Sequence, residues 1–179
     1  MNISVPYIQL IVLAVIAGTL MSCNPKQRKL ITESPTEMNR VSTTRYEIVE
    51  QARNTVGAGY KYGATGSSKF DCSGLVYSLF LAQDIALPRS TDAMSSYGEE
   101  IKLHEVKPGD LIFFRNVRKI DHVAIVSRKS PTRTWLIHST TSRGVVEEVL
   151  EESHYWKTRV DQCRRIIPLA ESEGTAYVK

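Results

Sequence analysis

Cys72 is the residue whose surroundings point most clearly to chemistry. It lies in the run Asp71-Cys72-Ser73-Gly74-Leu75, between a glycine- and serine-rich segment and an apolar stretch that predicts a helix. A cysteine at a helix N-terminus faces free backbone N–H groups and the positive end of the helix dipole, which favour the thiolate and lower the thiol pKa. The same N–H groups can hold an oxyanion. Because its neighbours are polar, we interpret Cys72 as a nucleophile rather than a small core residue.

A cysteine nucleophile needs a base, and two of the four histidines occupy suitable positions. His122 opens one predicted strand and His138 ends the next. If these strands form a hairpin that turns at Ser130-Pro131, pairing about residue 130 sets His122 opposite His138, with both side chains on one face. This arrangement predicts a triad in which His138 fixes the ring and tautomer of His122. The other two histidines lie beside acidic residues, and we interpret them as surface positions.

The elements that must position these residues are helices first and strands after. The sequence predicts one helix from Thr44, where Thr44 and Glu47 have the spacing of a capping box, and a second helix that begins at Asp71–Cys72. Helices followed by an antiparallel sheet define an α+β fold, here with N-terminal helices packed on a central sheet of about five strands. The predicted strands are Asp110–Arg115, His122–Arg128, Thr134–Thr140, Val145–Leu150 and Val160–Ile167.

The N-terminal segment has the character of an export signal. Residues 1–25 contain no charged side chain, and Ile8–Met21 is an almost continuous apolar run. That run is too short for a membrane-spanning helix and fits the apolar core of a signal peptide. Leu20-Met21-Ser22-Cys23 resembles the lipobox of bacterial lipoproteins, in which the cysteine becomes a diacylated N-terminus. An uncleaved anchor and an ordinary signal peptide remain the alternatives.

From about Tyr46 to Ile167 the chain resembles the NlpC-type family of bacterial cell-wall endopeptidases, small relatives of papain. His138 falls where that family places its third catalytic residue. Five segments match the family in order: Gly57–Gly63 with Tyr60, Asp71–Leu75, Leu87–Ser90, Pro108–Leu111 with Phe113-Phe114, and His122–Val126.

The resemblance implies a papain-like fold and a thiol peptidase that hydrolyses peptidoglycan. The bond implied is the one between γ-D-glutamate and the diamino acid, diaminopimelate, in murein stem peptides, cleaved through a thioester acyl-enzyme. In that scheme Cys72 attacks the γ-carbonyl. His122 takes the thiol proton and later protonates the leaving amine, while His138 steadies His122.

The resemblance also assigns residues around the nucleophile. Tyr60 matches a tyrosine whose hydroxyl lies near the cysteine and assists the oxyanion. Asp71 and Ser73 match positions that help to bind the substrate, including a free α-amine where the L-Ala end is unprotected. Asp71 is also placed as a helix N-cap, and it can serve both roles. The family scheme needs no cofactor and no metal. For Cys163 we expect a buried apolar role.

These interpretations divide the chain into a signal peptide at 1–22, a tether at 23–43 that starts at the lipidated Cys23, a catalytic domain at 44–170 and a tail at 171–179. The formal net charge of +4 and the pI near 9.0 belong to the part after Cys23. This mild excess suits an anionic envelope surface and is too small for nucleic-acid binding, although plain solubility explains it equally well. We expect a monomer in the cell envelope, anchored by lipid to the outer membrane and facing the periplasm.

Three other interpretations stay open. One is an amidase or acyltransferase, since papain-like domains support several acyl-transfer chemistries. Another is an inactive wall-binding lipoprotein, against which the joint presence of Cys72, His122 and His138 argues. The third is a zinc site made by the same three side chains, which lacks any supporting CxxC or HxxxH spacing.

Overall fold

The described part of the chain, residues 35–169 of a computed structural model, consists of helices followed by a sheet, as the sequence predicts. Cys23, the predicted signal peptide and the predicted C-terminal tail lie outside the described residues. Among residues 35–169, no helix is both long enough and apolar enough to cross a membrane. The helices are α1 (Pro35–Asn54), α2 (Cys72–Leu81), α3 (Thr91–Met94) and α4 (His154–Lys157), with 3₁₀ turns at Leu103–Glu105 and Leu150–Glu152.

Two sheets are formed by the described strands. A two-stranded parallel sheet precedes α2, and a six-stranded antiparallel sheet has the order β3-β8-β4-β5-β6-β7. The large sheet contains the five predicted strands and one more at its edge, β3, which is too short to carry an alternating pattern. The strands are β1 (Gly59–Tyr60), β2 (Lys69–Phe70), β3 (Glu99–Ile101), β4 (Leu111–Asn116), β5 (Lys119–Lys129), β6 (Thr134–Thr140), β7 (Gly144–Val149) and β8 (Val160–Arg165).

Helix α1 begins earlier than the sequence predicts. It starts at Pro35, a residue that suits the first helical position, rather than at Thr44. The predicted capping box is therefore wrong: the Thr44 hydroxyl lies inside the helix and donates to the carbonyl oxygen of Arg40 at 2.9 Å. The predicted tether at 23–43 is consequently helical from residue 35 onward.

The six-stranded sheet has an apolar cluster on each face. The first cluster packs α1 and α2 against the sheet through residues such as Ile48, Leu75 and Val123. The second lies on the opposite face and includes Phe114, Ala124, Leu136, Leu150 and Cys163, with Trp156 packed against it. Cys163 is 2% exposed, which confirms the expected buried role.

A buried carboxylate joins α1 to the sheet. Asp110, just before β4, is fully buried and pairs with the guanidinium groups of Arg45 from α1 and Arg165 from β8, each at 2.8 Å. Arg45 also donates to the carbonyl oxygens of Pro108 and Ile167, each at 2.6 Å. Because each charge in this group has a partner, the burial is tolerated and the helix is held in one position.

The register of β5 against β6 decides how the two histidines meet. Ile125 pairs with Ile137, and a bulge lies after Val126. The predicted direct pairing of His122 with His138 is therefore wrong, because the register of Ile125 with Ile137 sets His138 opposite Ala124, two residues along β5 from His122. His138 is the diagonal neighbour of His122, which keeps both side chains on the same face of the sheet.

Candidate active site

Cys72 is the first residue of α2, as predicted. Asp71 is the N-cap: its backbone is extended, and its Oδ1 accepts a hydrogen bond from the N–H of Gly74 at 2.6 Å. The Cys72 side chain is partly exposed. Its Sγ lies 3.7 Å from Oγ1 of Thr91 and 3.8 Å from the carbonyl oxygen of Asp121, the residue before His122. The helix start thus brings the thiol close to the first residues of β5.

The electrostatic environment of Cys72 differs from the expectation. Burial raises the pKa of the thiol above 9.0, and it outweighs the lowering by the Thr91 hydroxyl and by the backbone N–H groups of Ser73 and Val123. The negative charge of Asp71 also raises this pKa. The predicted lowering of the pKa is therefore wrong, because desolvation exceeds the effect of the helix terminus. The resting side chain is a thiol, and it needs a base to become a nucleophile.

His122 and His138 share a hydrogen bond. Nε2 of His122 lies 2.8 Å from Nδ1 of His138, and the ring planes cross at 73°. His138 is fully buried, whereas His122 lines the cleft that also contains Cys72. The prediction that both histidines share one face is confirmed. Nδ1 of His122 has no hydrogen-bond partner among the described residues, so it is the ring nitrogen available to a thiol proton.

The pKa of His122 is lowered to about 3, first by burial and then by its neighbour His138, while the charge of Glu148 acts in the opposite direction. The ring is consequently neutral at neutral pH. A neutral imidazole beside a neutral thiol has the protonation state that general-base activation of the thiol requires.

Glu148, on β7, extends the histidine pair by one residue, and the sequence analysis missed it. Its Oε1 lies 2.6 Å from Nε2 of His138, and Arg143 donates to both of its carboxylate oxygens at 2.9 and 3.0 Å. These hydrogen bonds, that from His138 above all, lower the pKa of Glu148 to about 2. The sequence could have indicated this contact through the pairing of β6 with β7. That pairing sets His138 opposite Val146, which makes Glu148 the diagonal neighbour of His138.

Trp156, on α4, covers the histidines and was also missed. Its indole stacks on the ring of His122 and meets that of His138 edge-on at 4.9 Å between centroids. A short helix of four residues has no periodic signal, so only its packing in the fold relates it to the site.

The cleft beside Cys72 has a volume of about 400 Å³. Tyr60 from β1 lines it, and its pKa is raised by burial and then by the proximity of Cys72. Tyr60 therefore lies in the same cleft as Cys72, and its role at the oxyanion stays a prediction. Other lining residues are Phe114, Asp121, His122, Ser139, Thr140, Thr141, Ser142, Arg143, Ser153, Tyr155, Trp156 and Arg159.

Asp71 and Ser73 lie beside the cleft and are buried against Arg89. The guanidinium of Arg89 reaches Oδ2 of Asp71 at 2.7 Å, Oδ1 at 3.0 Å and the Ser73 hydroxyl at 2.8 Å. Burial alone raises the pKa of Asp71, but hydrogen bonds from Arg89, Gly74 and Gly63 together hold it below 3.8. The N-cap role is confirmed, while substrate binding by these two residues stays a prediction.

The loop that follows Tyr60 is fixed to the start of α2 by close contacts. The N–H of Gly63 donates to Oδ2 of Asp71 at 2.7 Å. A Cβ atom at Gly74 would lie 2.0 Å from the carbonyl oxygen of Ala64, so only glycine fits there. The glycine that follows Cys72-Ser73 thus lets the loop approach the helix start.

The geometry does not favour the zinc alternative. His122 and His138 bond to each other instead of converging with Cys72 on a common point. Across residues 35–169, no group of three or more His, Cys, Asp or Glu side chains is arranged to hold a metal ion.

The α+β architecture, with helices packed on an antiparallel sheet, is that of a papain-like domain. A model of the NlpC/P60 family matches residues 57–165, more than half of the chain. The chain therefore belongs to the NlpC/P60 family.

Curated relatives cover most of the described domain. The chain is 34% identical over 131 residues to the gamma-DL-glutamyl hydrolase of Bacillus subtilis, a match that spans 73% of this chain and 32% of that protein. It is 31% identical over 121 residues to the murein DD-endopeptidase MepS/murein LD-carboxypeptidase of Escherichia coli, spanning 67% and 62% of the two chains. The probable endopeptidase NlpC of Escherichia coli is 35% identical over 120 residues, spanning 65% of this chain and 75% of that one.

Solved structures share the fold. An NlpC/P60 family protein from Bacillus cereus superposes with a TM-score of 0.63 at 24% identity, covering 69% of this chain and 40% of that one. The NlpC/p60 domain of the peptidoglycan hydrolase SagA gives 0.58 at 24% identity, covering 68% and 97%. At this level of identity the likeness shows the fold alone.

Proposed function

We propose that this chain is a peptidoglycan endopeptidase of the cysteine type, which cleaves the bond between γ-D-glutamate and diaminopimelate in murein stem peptides. The observation that carries the proposal is the position of Cys72, at a helix start and in one cleft with His122, whose ring is bonded to a buried His138. These three side chains supply the chemical groups that a nucleophile, a base and an orienting group require.

The first half of the reaction forms a thioester. As Sγ of Cys72 attacks the γ-carbonyl carbon, the thiol proton passes to Nδ1 of His122, the nitrogen that is not bonded to His138. The N–H of Ser73, which contacts the thiol, and the hydroxyl of Tyr60, which lines the cleft, can donate to the developing oxyanion. His122 then gives the proton to the amine of diaminopimelate, the C–N bond breaks, and the acyl group remains on Cys72.

The second half releases the acyl group. His122, neutral again, takes a proton from a water molecule whose oxygen attacks the thioester carbon. The C–S bond breaks and the proton returns to the Cys72 sulfur, so the products are a γ-carboxylate and the free enzyme. His138 holds the His122 ring in one orientation through both halves.

The choice of bond is supported by the relatives. The Bacillus subtilis protein is named a gamma-DL-glutamyl hydrolase, and the Escherichia coli relative a murein DD-endopeptidase and LD-carboxypeptidase. The matches span 32% and 62% of those proteins. Both names describe hydrolysis of bonds beside a D-amino acid, and the first names the γ-glutamyl linkage proposed here.

The test is digestion of defined muropeptides with the purified protein and identification of products by mass. The substrates are a tripeptide with a free L-Ala amine, the same peptide with that amine joined to N-acetylmuramic acid, a tetrapeptide and a cross-linked dimer. We expect fragments that end in γ-D-glutamate from the tripeptides, and no such products from Cys72→Ala, with Cys163→Ala as the matched control.

Each alternative activity gives different products. Release of terminal D-Ala from the tetrapeptide, or monomers from the dimer, would assign the chain to LD- or DD-cleavage instead. Cleavage at the sugar–L-Ala bond would make it an amidase, and transfer to an added amine an acyltransferase. Binding to wall without any product would leave an inactive wall-binding lipoprotein. Undiminished hydrolysis by Cys72→Ala would remove the peptidase activity from this site.

We also propose that Cys23 is acylated after removal of residues 1–22, and that the monomeric protein faces the periplasm from the outer membrane. The support is the apolar run Ile8–Met21 followed by Ser22-Cys23. Metabolic labelling with radioactive palmitate should label the wild-type protein and Cys163→Ala, but not Cys23→Ala, and the label should fractionate with outer membranes. Equal labelling of Cys23→Ala would contradict this proposal.

A further inference from the structure

Among the described residues, Glu148 is the one carboxylate that contacts His138, the buried histidine of the pair, at 2.6 Å between Oε1 and Nε2. We propose that Glu148 is a positioning residue that fixes which nitrogen carries the proton in both His138 and His122. It touches neither the substrate nor Cys72, and it acts through the two rings. The proposal rests on the proposed function to the extent that His122 is the base there.

The Glu148 carboxylate can only accept hydrogen bonds, and this fixes the position of the first proton. The pKa of Glu148 is about 2, and Arg143 holds both carboxylate oxygens at 2.9 and 3.0 Å. Glu148 is therefore ionised and accepts only. Its hydrogen bond with His138 requires the proton to lie on Nε2 of that ring.

The second contact follows from the first. When His138 carries a single proton, on Nε2, its Nδ1 has a lone pair, and this atom lies 2.8 Å from Nε2 of His122. That short contact needs one proton, so Nε2 of His122 donates. A neutral His122 then has a lone pair on Nδ1, and this is the form that can accept a thiol proton.

The opposite order of protons would disable the base. If Nδ1 of His138 carried the proton and donated to Nε2 of His122, the proton of a neutral His122 would lie on Nδ1. That nitrogen could no longer act as a base. Without a carboxylate, both orders satisfy the contact between the rings equally well, because each supplies one proton to it. Glu148, which does not line the cleft, makes the two arrangements unequal because it accepts a proton only from Nε2 of His138.

The direct test is the tautomeric state of the rings in the full-length protein. With ¹⁵N-labelled histidine, two-bond ¹H–¹⁵N correlation spectra near neutral pH report which ring nitrogen is protonated, and His122→Gln and His138→Gln assign the signals among the four histidines. We expect both rings to carry the proton on Nε2. A proton on Nδ1 of His122, or on both nitrogens of His138, would overturn the proposal.

Two substitutions at Glu148 separate positioning from stability. Glu148→Ala removes the acceptor, so we expect mixed tautomers and a kcat about 10- to 100-fold lower, with KM nearly unchanged. Glu148→Gln keeps an acceptor oxygen without the charge, and it should restore the Nε2 tautomers and much of kcat. Glu147→Gln is the matched control, since Glu147 is on the opposite face of β7 and bonds to Ser127.

The experiments distinguish failure of the positioning role of Glu148 from failure of the proposed function. An unchanged kcat and unchanged tautomers in Glu148→Ala would overturn the positioning role, and if that variant does not fold, the wild-type and Glu148→Gln spectra decide. If the wild-type protein cleaves no muropeptide, the proposed function fails. The tautomers, together with the rate at which iodoacetamide alkylates Cys72, still test the action of Glu148.

Discussion

The indole of Trp156 is stacked on the imidazole of His122, with centroids 4.4 Å apart and an angle of 22° between the planes. Trp156 comes from α4, which precedes β8, and it also contacts Phe114 edge-on at 5.1 Å. A side chain from outside β5 and β6 thus covers the contact between the two histidines. The stack limits rotation of the His122 ring and keeps water from it.

Trp156 should therefore affect both the rate and its pH dependence. In Trp156→Ala we expect kcat to fall about 10- to 100-fold, because the ring of His122, the proposed base, loses its orientation. Burial is the main cause of the low pKa of His122, so greater hydration should raise that pKa and move the acid limb of kcat/KM to higher pH. Pre-steady-state and steady-state assays over a pH series would measure both effects.

Trp156→Phe should retain part of the rate, since a phenyl ring still stacks. Trp135→Phe is the control. Trp135 is on β6, where its ring packs against the guanidinium of Arg128, and it does not line the cleft. An acid limb in Trp156→Ala that coincides with that of the wild type would contradict a role for the indole in burying the base.

The raised pKa of Cys72 predicts slow alkylation at neutral pH. Since burial holds the thiol pKa above 9.0, the rate with iodoacetamide should still be rising at pH values above that point. The measurement is the pH dependence of alkylation of Cys72 by mass spectrometry in Cys163→Ala, a background that removes the second described thiol. A midpoint near neutral pH would show instead that the resting site is a thiolate–imidazolium pair.

His122 should make the fold less stable in acid. Its pKa is 6.5 in the unfolded chain and about 3 in the fold. Between these values the unfolded chain binds more protons, so the free energy of unfolding falls as pH is lowered through this window, by up to about 1.4 kcal/mol per pH unit for one group. Glu148 adds to the loss as pH falls from 4.5 toward about 2.

Urea unfolding at a series of pH values measures this dependence. His122→Gln should have a shallower slope than the wild type between pH 6.5 and 4.5, where Glu148 contributes little. His104→Gln, at an exposed position, is the control and should keep the wild-type slope. Identical slopes in all three proteins would contradict the low pKa of His122.

The buried pair of Asp110 and Arg45 predicts a large effect on stability. Asp110→Ala leaves two buried guanidinium groups, those of Arg45 and Arg165, without their carboxylate, and we expect a loss of roughly 3–5 kcal/mol in the free energy of unfolding. Glu50→Ala, which removes a partly exposed partner of Arg53 on α1, should cost less than about 1 kcal/mol. Denaturant unfolding followed by circular dichroism measures both, and equal losses would refute the role of the buried pair.

Local sequence patterns predicted the elements that carry Cys72 and the two histidines. The apolar spacing after Cys72 indicated α2, and alternation indicated five strands of the sheet, because such periodicities follow from helix and strand geometry alone. The start of α1 was misplaced because the residues next to Thr44 are compatible both with an N-cap and with a position inside a helix. The edge strand β3 is too short for a pattern.

What the sequence determined by itself is the set of chemical groups: a cysteine at a helix start, two histidines on adjacent strands, and a tyrosine before them. Only the tertiary structure decided their states. The pKa of Cys72 is raised because desolvation depends on what the fold packs around the thiol, and the sequence pattern carried only the opposing effect of the helix terminus. Glu148 reaches His138 through the pairing of β6 with β7, and Trp156 reaches both histidines through the packing of a short helix. Neither contact can be recognised from the residues next to it in the chain, because each depends on how separate elements pack together.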